Sequence, residues 1–157
     1  MKPFFEIRDI WCPNAEYSNH RIPGIIVTGK GTLLIYCEAR REASDWAMMD
    51  ILHSADSQLP DPQCFGSVSS YNDGEHPYSL LFVNCNSTEK RENVTVRVSI
   101  DNGKTYGVSR QIDESRGGYV DIAVDNNAKR IYALYEDKFG ITDHLAIFNY
   151  EWILAGK

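Results

Sequence analysis

Short apolar runs follow one another along the chain and are cut apart by turn residues. The runs are "GIIVTG" (24–29), "TLLIYCEA" (32–39), "AMMDIL" (47–52), "SLLFVN" (79–84), "VTVRVSI" (94–100), "YVDIAVD" (119–125), "RIYALYE" (130–136) and "LAIFNYEWI" (145–153). Between them stand "GKG" at 29–31, "NDG" at 72–74, "DNG" at 101–103 and "DNN" at 125–127, all with turn chemistry. Alternation is clearest in "VTVRVSI", which puts Val94, Val96, Val98 and Ile100 on one face of a strand. No useful stretch has helical period. The pattern predicts an all-β domain of antiparallel hairpins.

One turn carries its own chemistry. "SIDNGKTY" (99–106) has the form Ser-x-Asp-x-Gly-x-x-aromatic, the Asp-box pattern. The oxygens of Ser99 and Asp101 can accept from turn amides, and Gly103 can take a positive φ. Tyr106 is then expected to fold back and plug the hairpin. The duty is structural, not catalytic. "LHSADSQLPDP" (52–62) begins a second box with Ser54 and Asp56, then lacks the glycine and the aromatic.

Composition narrows the function classes. A chain of 157 residues can form one domain with its own core, and 43% hydrophobic and 24% charged residues are ordinary for a globular protein. A formal charge of −6 gives no electrostatic support to a nucleic-acid partner. Such a protein binds an anion only where local arginines overcome the overall field. The placement of each arginine therefore says more than their number.

No stretch approaches the ~20 apolar residues of a membrane span. "MKPFFEIRDIW" carries charges where a signal peptide has its apolar segment, so a cytoplasmic location is the default expectation. Secretion stays open if the N-terminus is incomplete. Cys12, Cys37, Cys64 and Cys85 show no CxxC spacing, so buried free thiols are expected, with a disulfide as the alternative, and no metal or cofactor is implied. "NST" at 86–88 and "NVT" at 93–95 fit the glycosylation sequon, a pattern that weighs little without an export signal.

Four stretches together resemble the bacterial-type exo-α-sialidases. "HRIPGIIVTGKGTLLIYCEARREASDWAMMDIL" is similar to that family's first-blade signature. "LPDPQCFGSVSSY" and "LLFVNCNSTEKRENVTVRVSIDNGKTY" are similar to the segment leading into its last Asp box, and "GGYVDIAVDNNAKRIYALYEDKFGI" to its C-terminal strands. The resemblance implies a six-bladed β-propeller that releases terminal sialic acid from glycans. Length departs from it. Blades of ~40–45 residues leave material for an incomplete sialidase-like propeller of three to four blades. On this reading residues 1–157 form a single domain, with 1–57 resembling the first blade and 58–157 the C-terminal ones. The gap falls near Ser57 and Gln58, where the text jumps from one Asp-box segment to the late "LPDPxC" segment. Lost with that middle are the family's tyrosine-activating glutamate and its second carboxylate-binding arginine.

The resemblance assigns roles to the residues that remain. Sialic acid carries a carboxylate on its anomeric carbon, and planar guanidinium forks hold carboxylates best. Arg21 and Arg91 match the first and third arginines of the family's triad, and Glu136 matches the carboxylate that holds the first. Lys90 and Arg97 are alternatives to Arg91 in the same run, and a solvated loop charge is an equal alternative. Arg40 resembles the arginine near the sugar's C4 hydroxyl, with Glu38 as its orienting carboxylate, although a surface ion pair would look the same. Tyr119 resembles the nucleophile, a phenol that replaces the usual carboxylate in sialidases. An aromatic after two glycines is equally a packing residue. Asp45 resembles the general acid/base, and a turn role is its alternative.

Three functions follow from the resemblance: an exo-α-sialidase impaired by its losses, a non-catalytic remnant binding acidic glycans weakly, or a fragment that self-associates through open strand edges. Sialylated glycans or free sialic acid are the implied partners. A β-sandwich carbohydrate-binding module is the reading outside the family.

Overall fold

The computed structural model describes residues 1–12, 15, 19–27, 31–40, 59–62, 64–115, 117–137 and 141–156, without the side chains of 11, 19, 21, 34 and 36–40. Among the described residues, ten strands form three antiparallel sheets. β1 (Phe5–Trp11), β10 (Asp143–Phe148), β9 (Arg130–Glu136) and β8 (Val120–Asp125) lie side by side in that order. β4 (Ser67–Tyr71), β5 (Ser79–Cys85), β6 (Val94–Ser99) and β7 (Val108–Asp113) form a second four-stranded meander. β2 (Asn19–Val27) and β3 (Leu33–Arg40) form a two-stranded ribbon. The all-β antiparallel expectation holds, and the sheets are those of an incomplete propeller.

Layering follows from which faces are apolar. Val83, Val94, Val96, Val120, Ile122, Ala133, Tyr135 and Phe148 form one buried cluster between the two four-stranded sheets. On the opposite face of the β1-β10-β9-β8 sheet, Ala123, Leu134 and Leu145 meet Ile25 of the ribbon. That sheet is thus covered on both sides. Its central strands β9 and β10 read as near-continuous apolar runs because neither face sees water.

Asp121 ties the three sheets at one point. Its carboxylate accepts the Ile25 N–H at 2.9 Å, the Ser67 hydroxyl at 2.6 Å and the Ile122 N–H at 2.9 Å. Those partners lie on β2, β4 and β8. A charged carboxylate with three donors satisfies its lone pairs while fixing two neighbouring elements against a third.

The sequence expectations shift in three places. The strand expected at 145–153 ends at Phe148. Asn149 then caps the short helix α1 (Tyr150–Leu154), its side chain accepting the Trp152 N–H at 2.9 Å. Ile100 does not share the buried face of Val94, Val96 and Val98; β6 ends at Ser99 and Ile100 is 66% exposed in the turn. β1, β4 and β7 are strands where no apolar run announced one. The run at 47–52, and Ser54 and Asp56 of the broken second box, lie outside the described residues.

The turn after β6 has the anticipated hydrogen bonds. Ser99 Oγ donates to Asp101 Oδ1 at 2.8 Å and accepts the Gly103 N–H at 2.8 Å. Asp101 in turn accepts the Thr105 amide at 2.9 Å and its hydroxyl at 2.6 Å. Gly103 has φ +84°, which its missing Cβ permits. Tyr106 returns to within 6.1 Å of the Phe82 ring.

Candidate functional site

Tyr119 stands just before β8, and two glycines set its approach. A Cβ on Gly117 would lie 2.8 Å from both the carbonyl carbon and oxygen of Arg91 and 2.8 Å from Cys85 Sγ. A Cβ on Gly118 would lie 2.7 Å from Glu136 Cβ and 3.0 Å from the Asp137 carbonyl oxygen. No side chain fits at either place. The pair lets the chain pass between the β5–β6 loop and the end of β9, which delivers Tyr119 beside both Arg91 and Glu136.

The Arg91 guanidinium lies 5.3 Å from the centroid of the Tyr119 ring, within cation–π range. The Phe65 ring is 6.1 Å from that of Tyr119, tilted by 57°. Behind them, the Val120 N–H donates to the Phe65 carbonyl at 3.1 Å. Of the three basic residues in the 90–97 run, it is Arg91 whose guanidinium lies over the Tyr119 ring. Arg97 is buried and donates to Asn84 Oδ1 at 2.6 Å, with burial holding its pKa below the usual guanidinium value. Lys90 is exposed and, with Pro60, Asn86 and Glu92, lines an open groove of about 390 Å³ along the same loop.

Glu136 is fully buried at the C-terminal end of β9. Its main-chain N–H donates to the Tyr119 carbonyl at 3.0 Å, and its Oε2 accepts the Tyr119 N–H at 3.5 Å. Oε1 accepts the Ile22 N–H at 2.6 Å. Ile22 has φ 56°, an unusual conformation for a β-branched residue, and sits where the β2–β3 register shifts between Arg21 and Gly24. A buried carboxylate thus grips the main chain one residue after Arg21.

Arg21 pairs in register with Glu38, and Asn19 with Arg40, so the main chain of all three predicted residues lies on the paired strands of the ribbon. The side chains of Arg21, Glu38 and Arg40 lie outside the described atoms, and Asp45 lies outside the described residues. Arg91, Tyr119 and Glu136 are brought together. Ser99, Asp101, Gly103 and Tyr106 belong to the β6–β7 turn and contribute to its shape.

The thiols are partly as anticipated. Cys64 and Cys85 are free and buried, and share a hydrogen bond that pushes the Cys64 pKa up and draws the Cys85 pKa down. Cys85 also donates to the Gly118 carbonyl at 3.5 Å. Cys12, in contrast, is exposed, because it follows the last residue of an edge strand. Among the described residues no group of three or more His, Cys, Asp or Glu is placed to hold a metal ion. No helix among them is long and apolar enough to cross a membrane.

Comparison with known proteins gives the same direction. The chain is 35% identical over 120 residues to an exo-alpha-sialidase of Arthroderma benhamiae, a match covering 66% of this chain and 29% of that protein. It is 34% identical over 118 residues to an exo-alpha-sialidase of Aspergillus fumigatus, covering 64% and 29%. The chain therefore spans less than a third of the length of these relatives. Among solved structures it matches the Hadza microbial sialidase Hz136 with a TM-score of 0.54 and 18% identity, over 86% of this chain and 28% of that one. That likeness shows the fold. No family model matches the sequence.

Proposed function

We propose that this chain is a sialidase-like protein that keeps the carboxylate-binding and tyrosine side of an exo-α-sialidase site while having lost the means to use it efficiently. One observation carries the reading: the Arg91 guanidinium 5.3 Å from the Tyr119 ring, with Glu136 behind the same tyrosine. A guanidinium beside a phenol suits a sugar whose anomeric carbon bears a carboxylate. The cation binds the acid, and the neutral phenol reaches that carbon with less repulsion than a carboxylate nucleophile would meet. In this reading Arg21 and Arg91 hold the carboxylate, Arg40 with Glu38 lines the sugar's far side, Asp45 serves as acid/base and Tyr119 as nucleophile. The substrate is a terminal sialic acid on a glycoconjugate, cleaved with retention.

A neutral phenol requires a base to become a good nucleophile. Glu136 meets Tyr119 through the main-chain amide, which suits a positioning role, and by the resemblance the family's activating glutamate falls in the lost middle of the chain. General-base assistance contributes ~10²–10⁴ in rate. Turnover is expected to lie lower by about that factor, and binding without efficient hydrolysis is the second reading this favours. Self-association through open strand edges belongs to the same picture, and light scattering tests it.

Titration with N-acetylneuraminic acid and its 2,3-dehydrated analogue tests the site. Saturable binding lost in Arg91→Gln supports it, and absence of binding at millimolar ligand overturns it. Hydrolysis of a fluorogenic sialoside, slow in the parent and abolished in Tyr119→Phe, supports the nucleophile. Equal rates in the two proteins remove Tyr119 from that role.

A further inference from the structure

Phe65 combines a fixed main chain with an open side chain. On its N-terminal side, Cys64 is buried and its N–H donates to Asp61 Oδ1 at 2.8 Å. The Phe65 carbonyl accepts the Val120 N–H at 3.1 Å. On the other side a Cβ on Gly66 would lie 2.9 Å from the Val83 carbonyl oxygen and 3.0 Å from Asn84 Cβ, so the segment lies tight against β5. Three consecutive residues are pinned, yet the Phe65 side chain is 55% exposed.

A single exposed apolar residue needs no explanation of its own. Phe65 differs by position, because its ring borders Tyr119, whose ring also meets the Arg91 guanidinium. A cation, a phenol and an uncovered phenyl ring meet at one corner. A ligand that satisfies all three carries an anion and, next to it, a patch of C–H surface. Acidic monosaccharides have that form: hydroxyls lie around the ring edge while axial C–H groups make an apolar face. The positive hydrogens of such a face meet the negative face of an aromatic ring favourably.

We propose that Phe65 is a ligand-contacting wall of this site, taking the C–H face of an acidic monosaccharide whose carboxylate Arg91 holds. The inference rests on the acidic-sugar reading above and adds to it the residue that recognises the uncharged part of the ligand. Phe65 selects for sugars that keep an unbroken C–H face beside the carboxylate.

The test titrates the full chain with N-acetylneuraminic acid, followed by saturation-transfer NMR, in the parent, Phe65→Ala, Phe65→Trp and Arg91→Gln. Phe65→Ala is expected to weaken binding about three- to tenfold, and Phe65→Trp to stay within about twofold of the parent. The melting temperature of Phe65→Ala should stay within about 2 °C of the parent, since the ring is largely open to solvent. Unchanged binding in Phe65→Ala, with loss in Arg91→Gln, overturns the role of Phe65 and leaves the acidic-sugar reading standing. Equal losses in Phe65→Ala and Phe65→Trp also overturn it, because an aromatic surface would then not be what matters. A parent that binds no sugar removes the acidic-sugar reading, and the wall with it.

Discussion

Glu136 accepts the main-chain N–H of Ile22 at 2.6 Å, joining the end of β9 to a residue 114 positions earlier in the chain. The same carboxylate reaches the Tyr119 amide at 3.5 Å. One buried side chain therefore sets the relative placement of the strand that carries Arg21 and the turn that carries Tyr119. Ile22 stays at φ 56°, a conformation costing about 1–3 kcal/mol, with this contact to hold it.

Replacing Glu136 by Ala is expected to destabilise the fold by about 2–4 kcal/mol, because it removes the buried acceptor of two amides. The melting temperature should fall on the order of 10 °C. Thermal denaturation followed by circular dichroism measures it. A shift below about 2 °C would show that the carboxylate is dispensable to the fold.

Gly118→Ala should disturb the same corner sterically. Its Cβ would press on Glu136 Cβ at 2.7 Å and on the Asp137 carbonyl at 3.0 Å. Backbone must yield, at a cost of about 1–3 kcal/mol. Gly107→Ala is the matched control, since a Cβ there meets nothing within 4 Å. Equal stability of the two variants in urea would contradict the packing account.

Asp101 makes the turn after β6 sensitive to acid. Hydrogen bonds from the Thr105 hydroxyl, the Thr105 amide and the Ser99 hydroxyl hold its pKa down from 3.8 to about 2. A carboxyl depressed in the folded state stabilises the fold above its unfolded pKa and loses that contribution as pH falls through the folded one. The stability gap between the parent and Asp101→Asn should thus be complete above pH ~4 and close towards pH ~2. Thr105→Ala, which removes the largest cause, should move the Asp101 titration upward in carbon-detected NMR. A titration that stays put would show that other donors set the value.

Asp121→Ala should loosen three sheets at once. It leaves the Ile25 and Ile122 amides without this acceptor and frees the Ser67 hydroxyl. The expected loss is about 2–4 kcal/mol, with faster amide hydrogen exchange at Ile25 than at distant β6 positions. Uniform exchange across the chain would argue that the sheets do not meet through this residue.

The strands legible in the sequence were those buried on both faces or nearly so. β5, β6, β8 and β9 are apolar runs whose residues are almost all buried or half-buried. β4 and β7 are edge strands with alternating exposure, written "SVSSY" and "VSRQID", and their polar halves hid them. β1 is an edge strand too, with Glu6, Arg8 and Asp9 breaking up its apolar positions. The final helix was masked by apolar residues continuous with β10, and Asn149 is the one signal that marks its start.

Arg91, Tyr119 and Glu136, which the family resemblance singles out, lie at one corner of the fold. Asp121 is half-buried, and an Asp set among Val120, Ile122, Ala123 and Val124 is the sign by which such a hydrogen-bonded anchor shows in the sequence. Phe65 gave no sign, because an aromatic in a loop reads as packing until its exposure is known.

β1 pairs with β10, with Phe5 opposite Phe148 and Ile7 opposite Ala146, so the earliest strand is the outer member of the latest sheet. A protease cut in the exposed 72–78 loop would part β4 from β5 in sequence only. The N-terminal fragment would still hold its partner through the β1–β10 and β4–β5 seams and through the bonds of Ile22 to Glu136 and of Ile25 to Asp121. The molecule is fastened like a buckle with several catches, and nicked halves should migrate together until a denaturant opens them all.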